Sequence, residues 1–142
     1  MKSKAPLALM EQMIMVLVFA LAAALCLRAF ALSDRLSREG EARDGAVLLA
    51  QNAAEVCKAG GGDWAYMEFV LGGEALEYSW TALFDEELTA VTAEESAAYR
   101  VMAVGEATLV PGLGQASVSV YDTEGELLIR IPAAWQEGVR YG

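Results

Sequence analysis

The residue best placed to do chemistry is a carboxylate, Glu11, at the N-terminal edge of the apolar run Gln12-Met-Ile-Met-Val-Leu-Val-Phe-Ala-Leu-Ala-Ala-Ala-Leu-Cys-Leu27. An acid within or beside a membrane-length apolar segment costs a few kcal/mol on insertion scales, so it marks a functional position with a partner elsewhere. The other side chains that carry chemistry are sparse. Histidine is absent, which removes the commonest general base and the commonest metal ligand. There is no G-x-S-x-G and no G-x-x-x-x-G-K, and Ser117 and Ser119 alternate as exposed strand residues do; no enzyme and no cofactor are expected. Asp85, Glu86, Glu87, Glu94 and Glu95 offer the oxygen ligands calcium takes. Their spacing matches no calcium loop, and Asp122-Thr-Glu-Gly-Glu126 lacks the longer EF-hand pattern, so these acids read as solvated surface and no metal site is assigned.

The elements that position Glu11 come first in the chain. From Gln12 to Leu32 a helix would measure roughly 31 Å, about the hydrocarbon thickness of a bilayer. Lys2 and Lys4 precede it, and Arg28 can snorkel to the far interface. Because Arg35, Arg38 and Arg43 follow Arg28, the distribution of positive charge by itself does not favour a cytoplasmic N-terminus. The 142 residues suffice for one anchor and one small domain. Beyond Leu32 stand 19 acidic and 7 basic residues, a net charge of −12 that repels nucleic acid and anionic lipid surfaces. The partner of the apolar run is therefore membrane lipid, and nucleic acid is not a partner.

No proline interrupts residues 33–58, and Leu32, Leu36, Arg43, Ala46, Val47, Ala50, Ala53, Ala54 and Cys57 recur largely at three- and four-residue steps. This predicts that the anchor continues as an amphipathic helix with a stripe of small residues, weakened at Gly40 and Gly45. Gly60-Gly-Gly62 supplies its left-handed ending. Cys26 and Cys57 would lie about 46 Å apart along such a helix, out of disulfide reach. Asp63 is a candidate cap for a short helix over Trp64 to Leu71, a stretch whose aromatics also suit a strand.

The period then changes to two. Leu76, Tyr78, Trp80, Ala82 and Phe84 alternate as the buried face of a strand, and Tyr99 to Ala107 alternates again. Ala116–Tyr121 and Leu127–Ile131 flank Asp122-Thr-Glu-Gly125 as a hairpin, with Val118, Val120, Leu127, Ile129 and Ile131 facing inward and Ser117, Ser119 and Arg130 facing water. Trp64, Trp80 and Trp135 read as core or sheet-face residues. The expected fold is α+β: a long N-terminal helix packed on an antiparallel sheet of about four strands, divided into a leader (1–6), the transmembrane half of the helix (7–32), its amphipathic half (33–60) and a small β domain (61–142).

The start of the chain, Leu7-Ala-Leu-Met-Glu11-Gln-Met-Ile-Met-Val-Leu-Val-Phe-Ala-Leu-Ala, resembles type IV pilins and the pseudopilins of type II secretion and competence systems. In that family a basic leader precedes a processing site, a hydrophobic helix follows, and a glutamate occupies the fifth position after the cut. Framed on Glu11, the resemblance implies a cut between Pro6 and Leu7, although Pro6 stands where the family's leader ends in glycine. It implies a pilin-like fold and a membrane-anchored structural subunit, with its C-terminal domain outside the cytoplasm, either in the membrane or in a filament. Its implied partners are other pilin-like subunits, met through the N-terminal helix, and a prepilin peptidase. Glu11 would carry subunit assembly by meeting the N-terminal ammonium of a neighbour.

Two other readings stay open on the residues. One is a single-pass anchored extracellular binding or sensor domain, indifferent to Glu11. The other is a secreted domain released after Ala31, where Ala29-Phe-Ala31 forms an A-x-A site behind a basic start and an apolar core.

Overall fold

A computed structural model describes residues 4–138. Its first element, α1, runs from Ala5 to Ala59. Alanine, leucine and methionine, all strong helix formers, dominate its first half. Pro6 lies in the first turn, where a missing amide hydrogen costs nothing, and the Ala8 amide donates to the Lys4 carbonyl at 3.2 Å. The chain divides into two compact units, Met1–Gly40 and Glu41–Gly142.

In the first unit every described residue is exposed, including the whole apolar run. Among the described residues this is one helix long and apolar enough to cross a membrane. Past Leu32 the helix is braced by exposed i,i+4 ion pairs, Asp34–Arg38 at 3.3 Å and Arg35–Glu39 at 3.2 Å. Each contributes little on an open face.

The second unit contains the rest of α1, α2 (Trp64–Leu71) and six strands: β1 (Glu74–Ala75), β2 (Ser79–Phe84), β3 (Ala90–Val91), β4 (Tyr99–Glu106), β5 (Leu113–Tyr121) and β6 (Leu127–Gln136). They form one antiparallel sheet of order β1-β2-β4-β5-β6, with β3 also pairing with β2. The fold is thus α+β, as expected, with six strands rather than about four. The two additional strands are two-residue pairings, too short to leave an alternating pattern in sequence.

Burial follows the two periods. Gly45, Ala46, Leu49, Ala50, Ala53, Ala54 and Cys57 of α1 are buried, and they share one core with Trp80, Ala82 and Phe84 of β2, Val101 and Ala103 of β4, and Val118 and Val120 of β5. Small side chains on the helix let its backbone approach the sheet closely. Gly45 shows why: a Cβ there would stand 2.8 Å from the Tyr99 hydroxyl and 3.3 Å from Leu88. This glycine, a weak point by helix propensity, is required by packing.

The helix ends as the glycine run implies. Gly61 and Gly62 adopt φ of 62° and 79°, and the Gly62 amide donates to the Cys57 carbonyl at 3.0 Å. The aromatic stretch that follows is a helix, because the Asp63 carboxylate accepts from the Ala65 and Tyr66 amides at 3.0 and 3.4 Å. Asp63→Ala should lower the stability of the second unit by about 1 kcal/mol, measured as a shifted urea midpoint at unchanged slope.

Three inward assignments are corrected. Leu76 and Tyr78 are exposed because β2 begins only at Ser79; the Leu76 amide donates to the Ser79 carbonyl at 2.7 Å, closing a turn. Leu127 is exposed because a bulge between Val120 and Tyr121 shifts the register, so that Val120 pairs with Ile129 and Tyr121 with Leu127. Ser119, expected to face water, is buried under Arg130, whose Nε donates to its hydroxyl at 2.9 Å. The outermost long strand, β6, carries Pro132 opposite Ser117. A residue without an amide hydrogen there blunts pairing with a foreign strand.

Candidate functional site

Glu11, Pro6 and Leu7 lie together in the first two turns of α1, and all three are exposed. At helical spacing Glu11 is flanked by Leu7, Ala8, Ile14 and Met15, of which Leu7, Ile14 and Met15 are 57–74% exposed. A single carboxylate, with Gln12 beside it, thus stands on a face that is apolar one turn above and below. Of the 1–6 leader, Met1 to Ser3 lie outside the described residues. What this arrangement can do chemically is limited and specific. In hydrocarbon or in a helix-packed interior the carboxylate needs a cation or a hydrogen-bond donor; Gln12 is an adjacent donor, and the positions three and four residues away, which share its face, supply none.

The acidic turns have local work. The Asp85 Oδ1 accepts from the Glu87 and Thr89 amides at 3.0 and 2.9 Å. The Asp122 Oδ1 does the same for the Glu124 and Glu126 amides at 2.9 and 2.8 Å. Both oxygens hold turns of the chain. Among the described residues no group of three or more acidic or sulfur side chains is placed to hold a metal ion. Glu94 pairs with Arg100 at 2.7 Å.

Of the two thiols, Cys26 is exposed on the apolar run and Cys57 is fully buried. Burial pushes the Cys57 thiol up to about 11, with Lys58 opposing in part. In a Cys26→Ser background, thiolate content at pH 8 should therefore limit Cys57 alkylation in the native protein to a rate on the order of a hundredfold below that in urea. Because the folded value lies above the unfolded one, Cys57 contributes stability below about pH 9 that is lost as pH rises toward 11. Rapid native labelling at pH 8 would contradict the burial.

Trp80 is fully buried, while Trp64 and Trp135 are half-buried against the same core. The Trp135 ring lies against Gly62 and Gly114, so the glycines at the end of α1 and in β5 make room for it. The sequence pattern missed the outward-facing Leu83, Met102 and Tyr121, which floor an open groove on β2, β4 and β5. Their signal was present as the opposite phase of the same strand alternation.

Compared with protein-family models, curated proteins and solved structures, the chain gives no match.

Proposed function

We infer that this chain is a membrane-anchored, pilin-like or pseudopilin-type structural subunit of a type IV pilus, competence or type II secretion-like assembly. One observation carries the reading: a single helix is bare and apolar over its first 28 or so described residues and, from Gly45, is buried beneath an antiparallel sheet. A helix of this kind serves two environments. Its second half organises a water-facing domain, and its first half needs hydrocarbon or other helices around it. Glu11 adds the polarity that selects between them, since a carboxylate among packed apolar helices needs a cation or a hydrogen-bond donor opposite it. The N-terminal ammonium released by a cut after Pro6 would be that cation, and the acidic second unit would stand outside the cytoplasm.

The test is the intact mass of the protein recovered from native membranes, with and without a prepilin peptidase. The expected result is loss of Met1 to Pro6 only when the peptidase is present. A full-length mass in both samples would shift the chain to an uncleaved anchored domain, and loss through Ala31 would end the subunit reading.

A further inference from the structure

The end of the first unit, residues 33–40, lacks both of the supports available to the rest of α1. It follows the membrane-length half of the helix, and the burial that holds α1 against the sheet begins only at Gly45. Each of these residues is exposed, whereas most helical stability in proteins comes from packing. Ser33, Asp34 and Ser37 are poor helix formers, and Gly40 is the poorest after proline. A Cβ at Gly40 would meet nothing within 4 Å, so packing does not require this glycine as it requires Gly45. Two exposed ion pairs, Asp34–Arg38 and Arg35–Glu39, are all that brace the stretch, and such pairs contribute little. It is the part of α1 that opens first.

The same stretch carries Arg35 and Arg38. Beyond Arg43 the described basic residues are Lys58, Arg100 and Arg130, which lie in the packed half of α1, in β4 and in β6. All three side chains are engaged, with Glu55, Glu94 and Ser119. An endopeptidase takes its substrate extended over several residues, so it cuts where the chain opens locally. On both sides of the Arg38–Glu39 bond the residues from Arg35 to Glu41 are exposed. A cut after Arg43 would instead have to draw out the buried Gly45 and Ala46.

We propose that α1 is a processing site: an arginine-directed endopeptidase cuts it after Arg35 or Arg38 and releases the second unit from the membrane. The step is a hydrolysis. Water adds to the carbonyl carbon of the arginine, the C–N bond breaks, the arginine keeps a carboxylate, and Leu36 or Glu39 takes the proton as a new N-terminal amine. Among the described residues every buried one lies at or beyond Gly45, so the fragment keeps the whole core that α1 shares with the sheet. The inference needs only an anchor and a separate core, and it stands apart from the subunit reading.

The test treats the full-length protein, in phosphatidylcholine vesicles with the second unit outside, with dilute trypsin and follows the fragments by intact mass. The first cut between residues 33 and 138 should follow Arg35 or Arg38. Gly40→Ala should slow that cut about fivefold, because alanine strengthens only the stretch that must open. In cells, the soluble fraction should contain a fragment beginning at Leu36 or Glu39, and Arg35→Gln combined with Arg38→Gln should remove it. A first cut after Arg43, Lys58, Arg100 or Arg130, or a rate indifferent to Gly40→Ala, would overturn the opening of this stretch. Absence of the soluble fragment from wild-type cells would overturn the release.

Discussion

Glu11→Leu is expected to leave membrane insertion intact and to reduce incorporation into an assembly by at least about tenfold, since breaking a buried charge pair costs roughly 3–5 kcal/mol. Insertion should be unchanged or easier, because an acid near the end of the apolar run opposes partitioning and leucine favours it. Assembly should fail because the neighbour's ammonium would be left without a counter-charge among packed helices. Glu11→Gln separates the two contributions. It keeps the size and one acceptor oxygen but removes the charge, so it should insert as the wild type does and still assemble poorly. The measurement pairs alkaline extraction of membranes, which reports insertion, with sedimentation of the detergent-sheared assembly, which reports incorporation. Wild-type incorporation of Glu11→Leu would remove the carboxylate from the mechanism and favour the anchored-domain reading.

How much of the molecule could be read from its residues depended on the length of each signal. The anchor and its amphipathic continuation span some fifteen turns, so the three- and four-residue steps accumulated, and the buried stripe emerged from Ala46 to Cys57 with Leu49 as its one large omission; Leu32, Leu36 and Arg43 keep the same steps but are exposed, because the burial begins only at Gly45. Trp80, Ala82 and Phe84 were placed correctly by alternation. Leu76 and Tyr78 were not, because the same alternation continued through a turn whose only signature is one backbone hydrogen bond. Leu127 failed for a different reason: a single-residue bulge reverses the phase of a strand, and nothing in Tyr121 to Leu127 announces it. The two-residue strands β1 and β3 carry no period at all. Gly45 was misjudged because helix propensity is a local quantity, whereas the Tyr99 hydroxyl that requires a glycine there is 54 residues away in sequence. Of the candidate site, Glu11 was legible because it breaks a long uniform run. The groove was not, since its floor is assembled from three strands and its rim from two turns.

Trp80→Ala should be the most damaging single change in the second unit. Trp80 is the largest of the fully buried side chains, and truncating such a residue costs about 3–5 kcal/mol. Its Nε1 also donates to the Gly72 carbonyl at 2.8 Å, tying the end of α2 to β2, and the orphaned carbonyl adds roughly 1–3 kcal/mol. Against a typical domain stability of about 5–15 kcal/mol, the loss would leave the unit marginal or unfolded. Trp80→Phe isolates the polar part: it retains most of the apolar volume, loses the donor, and should cost about 1–3 kcal/mol. Proteolysis of protein embedded in vesicles reads the outcome unit by unit. In Trp80→Ala the sheet strands should be cut within the time that leaves the wild-type sheet whole, while the apolar half of α1 stays protected by lipid, because no residue of its exposed surface depends on the sheet for burial. Equal resistance of the two proteins would mean that the core closes around the cavity, and loss of the lipid-protected fragment as well would mean that anchor and domain are not separate in stability.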